Sequence, residues 1–260
     1  QTSAMGMFSI TATSAAGLYT VAMAFLPALT RIFLDLLFPI QCAGCADEGS
    51  FLCRHCSETL ILVPPACIVC KKLVPARDNA IPGRTCKLCR KKSHISSFFS
   101  PFLYETGLIR DLIHQLKYRR IREIHIPLAK LLASSLRYFL VPIPPGAIIV
   151  PIPLAPARRR VRGFNQSSLI AERLGAELGL PLAATVLKKI KNTPPQMELA
   201  RDARLGNLAG AFAVSDAAAI KNKIVILIDA VKTTGATLEE AAKTLKAAGA
   251  KEIRAITIAR

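Results

Sequence analysis

Eight cysteines, all between Cys42 and Cys89, fall into four Cys-x-x-Cys pairs, and the rest of the 260-residue chain has none. Around them, residues 42–94 show little hydrophobic periodicity and are rich in Pro, Gly, Lys and Arg. A segment of that size and composition cannot bury enough apolar surface to fold unaided, so a metal must organise it. Disulfide scaffolds scatter their cysteines and belong to oxidising compartments, whereas paired knuckles in a cytoplasmic protein hold zinc. The simplest division is two sites. Cys42, Cys45, Cys53 and Cys56 have the spacing C-x2-C-x7-C-x2-C, and Cys67, Cys70, Cys86 and Cys89 have C-x2-C-x15-C-x2-C, close to a zinc ribbon. An interleaved pairing (first with third, second with fourth) also fits, as does one metal with spare thiols. Closed sites of four thiolates are structural rather than catalytic; thiol redox chemistry is the rival reading. His55, inside Cys53-Arg-His-Cys56, reads as an exposed side chain, and His94, His114 and His125 fit no ligand pattern.

The amino terminus has the opposite character. Residues 1–30 carry no charged side chain. A transmembrane helix needs about 20 predominantly apolar residues, and this stretch is diluted by Ser and Thr and broken by Pro27. A signal peptide would begin with basic residues. The expectation is that residues 1–22 lie upstream of the native start, with Met23 as initiator; a signal or anchor is the alternative. No stable membrane span is expected, and the location should be cytoplasmic. The chain therefore divides into an extension with one apolar helix (1–41), a zinc-binding module (42–94) and an α/β domain (95–260).

Periodicity fills in the α/β part. Residues 26–38 place apolar groups on one helical face. Residues 108–120 and 127–140 read as amphipathic helices, and 147–154 as a buried strand running into a Pro-marked loop. Residues 164–179 form a helix closed by Gly179, 224–228 a buried strand, 238–248 a helix ended by Gly249, and 252–259 a last strand. Strands alternating with helices predict a parallel sheet flanked by helices, whose ligands sit at the strands' carboxyl ends. In the stretch Ile-Val-Ile-Leu-Ile-Asp-Ala-Val-Lys-Thr-Thr-Gly-Ala-Thr (224–237), Asp229 lies where such a strand delivers side chains to the ligand crevice. Thr233, Thr234, Gly235, Ala236 and Thr237 then offer backbone N–H groups and three hydroxyls to a phosphate at a helix amino terminus. An ordinary strand–turn–helix with a Thr cap is the plainer reading.

Asp-x-x-x-Thr-Thr-Gly-Ala-Thr after a hydrophobic strand resembles the ribose-phosphate loop of type I phosphoribosyltransferases. Residues 26–260 as a whole resemble the ComF family of competence-associated, phosphoribosyltransferase-like proteins. The cysteine segment, Pro-Ile-Pro-Leu-Ala-Pro-Ala-Arg-Arg-Arg-Val-Arg-Gly-Phe-Asn-Gln (151–166) and the segment 192–212 carry that likeness. It implies phosphoribosyl pyrophosphate with Mg²⁺ as substrate, and transfer of ribose 5-phosphate to an acceptor with loss of pyrophosphate. It implies that Asp229 binds a ribose hydroxyl, that Thr233 to Thr237 hold the 5′-phosphate, and that the loop after the 147–153 strand faces pyrophosphate. In that loop Arg158, Arg159, Arg160 and Arg162 precede Gly163, and arginine forks suit phosphate oxygens; Arg162 is the first choice. Thr193, Gln196, Arg204 and Asn207 match a hood that orients the acceptor, where a plain surface loop explains the same composition. Lys117, Arg119 and Arg120 extend the cationic surface.

The chain departs from the family in one place. Two consecutive acidic residues are usual where it has Asp229-Ala230, and a small or apolar residue where it has Lys232, whose side chain is expected in solvent. Losing a carboxylate weakens the hold on ribose and Mg²⁺ by about 1.5–3 kcal/mol, so catalysis is doubtful and anion binding is not. The formal net charge of +18 draws polyanions: nucleic acid, anionic membrane or phosphorylated small molecules. A second reading follows, a binding protein that engages single-stranded DNA or competence-machinery proteins through its zinc module and basic surface. Base stacking needs aromatic groups, and the absence of Trp with only 6% aromatics argues against high affinity for single strands.

Overall fold

The run Ile224–Ile228 has no polar residue to turn towards water, which is the pattern of a strand covered on both faces. The computed structural model, which describes residues 39–74, 81–105, 107–191 and 208–260, builds the protein around it. In chain order the elements are α1 (Arg54–Glu58), β1 (Ser97–Phe99), α2 (Gly107–His114), α3 (His125–Tyr138), β2 (Ile148–Pro151) and α4 (Pro156–Arg162). They continue with α5 (Gln166–Leu178), β3 (Leu187–Lys189), β4 (Phe212–Val214), β5 (Ile224–Val231), α6 (Ala236–Ala247) and β6 (Glu252–Ala259). The strand order is β1-β6-β5-β2, all parallel, and β3 pairs with β4 antiparallel in a separate two-stranded sheet. This is the expected parallel sheet flanked by helices, preceded by a cysteine-rich segment able to hold zinc.

Alternation along β5 assigns its two faces. Ile226, Ile228 and Ala230 join one apolar cluster with Ile109, Leu112, Leu128, Leu132, Ile170 and Leu174 of α2, α3 and α5. Val225 and Leu227 join the other, with Leu238, Ala241, Ala242 and Leu245 of α6. Each fully buried Leu, Ile or Val contributes about 1.5–3 kcal/mol, so β5, covered on both sides, is the rigid centre from which Asp229 is presented. The cysteine segment packs onto both clusters: Phe51 and Leu52 rest on the first, and Ile68 is part of the second.

Three elements differ from the sequence expectation. The helix expected over 108–120 is α-helical only to His114 and continues as a π-turn over Gln115–Arg119, ending at Arg120 in a left-handed conformation (φ 60°). The Pro-marked loop after β2 contains α4, which starts with Pro156 in its first turn and ends at Gly163 (φ 82°). β5 runs past Ile228 to Val231, so Asp229 is within the strand. Helix α5 does end at Gly179, as expected. The helix expected over 26–38 and the segment 192–207 lie outside the described residues. Among the described residues, no helix is long and apolar enough to cross a membrane.

Candidate phosphate and metal sites

The cysteines form two separate clusters in sequential pairing. Cys42, Cys45, Cys53 and Cys56 make one, and Cys67, Cys70, Cys86 and Cys89 the other, each with its four Sγ atoms within 4.8 Å of one another. A Zn–S bond of about 2.3 Å puts tetrahedral sulfurs about 3.8 Å apart. Cys45 and Cys53 are 3.6 Å apart, and Cys70 and Cys86 are 3.8 Å apart. Both donor sets therefore fit zinc, with His55 outside them. The backbone favours one thiolate in each cluster. Burial works against charge on Cys42, but the N–H groups of Cys53, Cys45 and Gly44 outweigh it and bring the thiol down to about 6. Cys67 likewise comes down to about 7: burial opposes its charge, and the N–H groups of Cys70, Cys86 and Val69 favour it.

Asp229 is half-buried near the carboxyl end of β5. Its Oδ1 accepts a hydrogen bond from Ser167 Oγ at 2.9 Å and one from the Ala230 N–H at 2.7 Å. Ser167 has no exposed surface and is set by the cap of α5, where Asn165 Oδ1 accepts from the Ser167 N–H at 3.2 Å. Three cations feel the charge of this carboxylate, Lys117 of the π-turn, Arg162 of α4 and Lys189 of β3; burial lowers the pKa of each, and Asp229 opposes that shift. Burial also pushes the Asp229 carboxyl up, against the pull of Lys117, Ser167, the Ala230 N–H and Lys189. Arg162 donates to Gln166 Oε1 and lies 5.8 Å from the centroid of the Tyr118 ring. The arginine run is thus divided: Arg158 and Arg162 are half-buried, while Arg159 and Arg160 are exposed beside Pro156 and Gly163. Ala230 has no exposed surface and sits in the apolar cluster of α2, α3 and α5.

Beyond β5 the chain turns through Thr233, Thr234 and Gly235 into α6. Thr234 Oγ1 accepts from the Ala236 N–H at 3.3 Å, and Gly235 takes φ 87°, a conformation that disfavours any side chain. The loop lines a cavity of about 420 Å³. Lys232 does not extend into solvent as the sequence suggested. It is 6% exposed, with Nζ 5.5 Å from the Phe98 ring centroid, and its stem passes beneath Gly235. A cation over an aromatic face keeps part of the stabilisation it loses with water.

Thr233, Thr234, Gly235 and Ala236 line one cavity, with Thr237 in the first turn of α6, and Arg162 lies within the electrostatic reach of both Asp229 and Arg158. Thr193, Gln196, Arg204 and Asn207 lie outside the described residues. Arg119 and Arg120 are exposed, whereas Lys117 is half-buried and feels the charge of Asp229. The sequence reading missed Ser167, Lys189, Lys71, Lys92 and Glu239. A serine at a core position of an otherwise apolar helix face was the available signal for Ser167; the four charged residues carried none.

Residues 164–260 match the family described as phosphoribosyl transferase domain. This takes in Asp229 and the loop and leaves the cysteine clusters outside. Competence protein F of Haemophilus influenzae is 30% identical over 229 residues, covering 84% of this chain and 90% of that protein. The DNA utilization protein YhgH of Salmonella typhi is 33% identical over 207 residues, 78% of this chain and 87% of that protein. Competence protein ComFC of Streptococcus pneumoniae is 28% identical over 215 residues, 82% and 90% respectively.

Proposed function

The chain belongs to the competence protein F (ComF) family, and from that premise we propose that it binds phosphoribosyl pyrophosphate with Mg²⁺ in a cytoplasmic step of DNA uptake. The observation that carries this reading is the end of β5, where Asp229, held by Ser167 Oγ and the Ala230 N–H, is followed by the Thr233–Ala236 turn into α6 on the wall of a cavity, with Lys117, Arg162 and Lys189 in its electrostatic reach. Three partly desolvated cations against one anion leave a local excess of positive charge that a polyphosphate ester would balance. The pattern of a sugar-phosphate site follows from it. Asp229 accepts a ribose hydroxyl, the loop N–H groups and the start of α6 take the 5′-phosphate, and Arg158 with Arg162 takes the pyrophosphate. Thr193, Gln196, Arg204 and Asn207 are assigned to the acceptor side by sequence alone.

Transfer would break the bond from the sugar's anomeric carbon to the pyrophosphate oxygen and form one to an acceptor nucleophile. Mg²⁺ would be held by the ligand's phosphate oxygens and by Asp229, and supplies charge neutralisation on the leaving group. The Ala230 methyl is enclosed by apolar neighbours, so a carboxylate at that position would be a second buried charge next to Asp229. With one acid the site keeps its hold on phosphate and loses part of its electrostatic pull on the metal; binding is retained and turnover is slow.

Calorimetric titration of phosphoribosyl pyrophosphate with Mg²⁺ into the zinc-loaded protein and into Asp229→Asn tests the reading. The wild type should bind, and the variant should bind about ten- to a hundredfold more weakly. A wild type that takes up no ligand would sink the proposal. A second function, contact with single-stranded DNA, is favoured by Arg159 and Arg160, which stay exposed on α4 while Arg158 and Arg162 are half-buried.

A further inference from the structure

The cavity beside the loop has two walls, and only one belongs to the loop. Lys232, Thr233, Thr234, Gly235 and Ala236 form the first; Ile68, Val69, Lys71 and Lys92 form the second. Those four residues come from the second cysteine cluster. Ile68 and Val69 lie inside the Cys67–Cys70 knuckle, Lys71 follows it, and Lys92 lies just past Cys89.

This wall is tied to the loop's own helix. Glu239, in the first turn of α6, accepts from Ser93 Oγ at 2.7 Å and from the His94 N–H at 2.6 Å, and His94 Nδ1 lies 2.7 Å from the same carboxylate. Ile68 packs in the apolar cluster that contains Ala236 and Leu238. The segment is also held to β1, through a bridge between Arg84 and Ser97 and the Thr85 N–H on the Ser96 carbonyl at 2.7 Å, and a metal on its four cysteines would fix the knuckle itself.

The knuckle turn fixes where Lys71 leaves the backbone. Lys71 sits at φ 60°, and its N–H bonds to the Cys67 carbonyl at 2.9 Å. The matching position of the first cluster is Ala46, at φ 63°, with its N–H on the Cys42 carbonyl at 2.9 Å. The left-handed turn therefore belongs to both knuckles, and glycine is its cheapest occupant. Three ammonium groups, Lys71, Lys92 and buried Lys232, line the cavity, and its one carboxylate, Glu239, is already engaged by Ser93 and His94.

Resting on the reading of the loop as a phosphate site, we infer that the second cysteine cluster and the loop form a single anion site. Lys71 and Lys92 are phosphate-binding residues delivered by the cysteine knuckle, so that metal binding at Cys67, Cys70, Cys86 and Cys89 and phosphate binding at the loop favour one another.

The test uses the full chain, loaded with zinc, and two probes: inorganic phosphate, and phosphoribosyl pyrophosphate with Mg²⁺. The variants are Lys71→Gly, which suits the backbone and removes the side chain with its charge, Lys92→Ala, the double variant, and Lys130→Ala on α3 as control. The double variant should bind inorganic phosphate about ten- to a hundredfold more weakly with its zinc content unchanged, and the control should match the wild type. By linkage, saturating phosphate should also raise the equilibrium zinc affinity of Cys67, Cys70, Cys86 and Cys89, read by competition with a chelator, and not that of the other cluster. A double variant that binds phosphate like the wild type, or a wild type with no phosphate affinity, overturns the inference. If phosphate behaves as expected while phosphoribosyl pyrophosphate never binds, the shared anion site stands and the proposed ligand falls. If phosphoribosyl pyrophosphate binds and neither probe responds to the lysines, the ligand stands and the link to the cysteine cluster falls.

Discussion

Asp229 combines a position that function requires with an environment that a carboxylate resists. Burial raises its pKa from 3.8, and Lys117, Ser167, the Ala230 N–H and Lys189 offset that only in part. A folded-state pKa above the unfolded one means that ionisation costs stability. Below about pH 3.8 the acid is neutral in both states and the cost is absent; it develops as pH rises through the folded pKa and is constant above it. Asp229→Asn should therefore be more stable than the wild type at neutral pH, with a gain that shrinks as the pH falls towards 3.8. Urea unfolding across that range reads it directly. A variant no more stable at neutral pH would show that the pairing with Lys117 outweighs burial. At this scale the sequence was partly legible. Asp229 and the loop threonines could be read because a strand, an acid and a small-residue turn occur together. Lys232 was misread because a lysine in a loop is ordinarily solvated, and nothing local announces that Phe98, far off in the chain, supplies a ring for it to cover.

Long elements announced themselves and short ones did not. The helices α3, α5 and α6 and the strands β5 and β6 carry enough residues for a period to show, whereas β1, β3 and β4 have three residues each. The arginine helix α4 was taken for a loop because Pro156 reads as a breaker, yet a proline in the first turn suits a helix start. The cysteine pairs were the most legible elements, since four thiolates around one ion leave few arrangements, and the sequential pairing is the one found. Structural zinc binds with an apparent free energy of about 10–16 kcal/mol, comparable to or above a typical domain's whole stability of about 5–15 kcal/mol. The cysteine segment should accordingly hold two zinc ions per chain. Cys45→Ser should hold one, and should loosen Phe51 and Leu52 from the core they cover. Metal analysis with limited proteolysis of the 42–56 region measures both effects. A Cys45→Ser protein that keeps two ions and the wild-type cleavage pattern would exclude a structural metal at the first cluster.

Across the whole molecule the charge of +18 attracts polyanions without choosing among them; the arrangement of cations does that. Lys117, Arg162 and Lys189 feel the charge of Asp229, and Lys71, Lys92 and Lys232 line the loop cavity, while Arg159 and Arg160 of α4 are among the cations that stay exposed to a macromolecule. The sequence could show the excess but not this division, because burial of a cation depends on neighbours that the fold supplies. The division makes the two proposed ligands separable. For a single-stranded oligonucleotide, log K should fall with log salt by about 0.7 for each phosphate neutralised. Replacing both exposed arginines, Arg159→Ser with Arg160→Ser, should reduce that slope by about 1.4 and leave phosphoribosyl pyrophosphate affinity unchanged. With no Trp and with Tyr118 and Tyr138 the exposed aromatics among the described residues, the interaction should show little base preference, since stacking platforms are what confer it. Fluorescence anisotropy over a salt series with two oligonucleotides of different base composition decides the matter. A flat salt response removes DNA as a ligand of this surface. A steep response that ignores the two arginines moves the contact to another face, and the lysines of the cysteine segment, Lys87 and Lys91 among them, would then be the next residues to exchange.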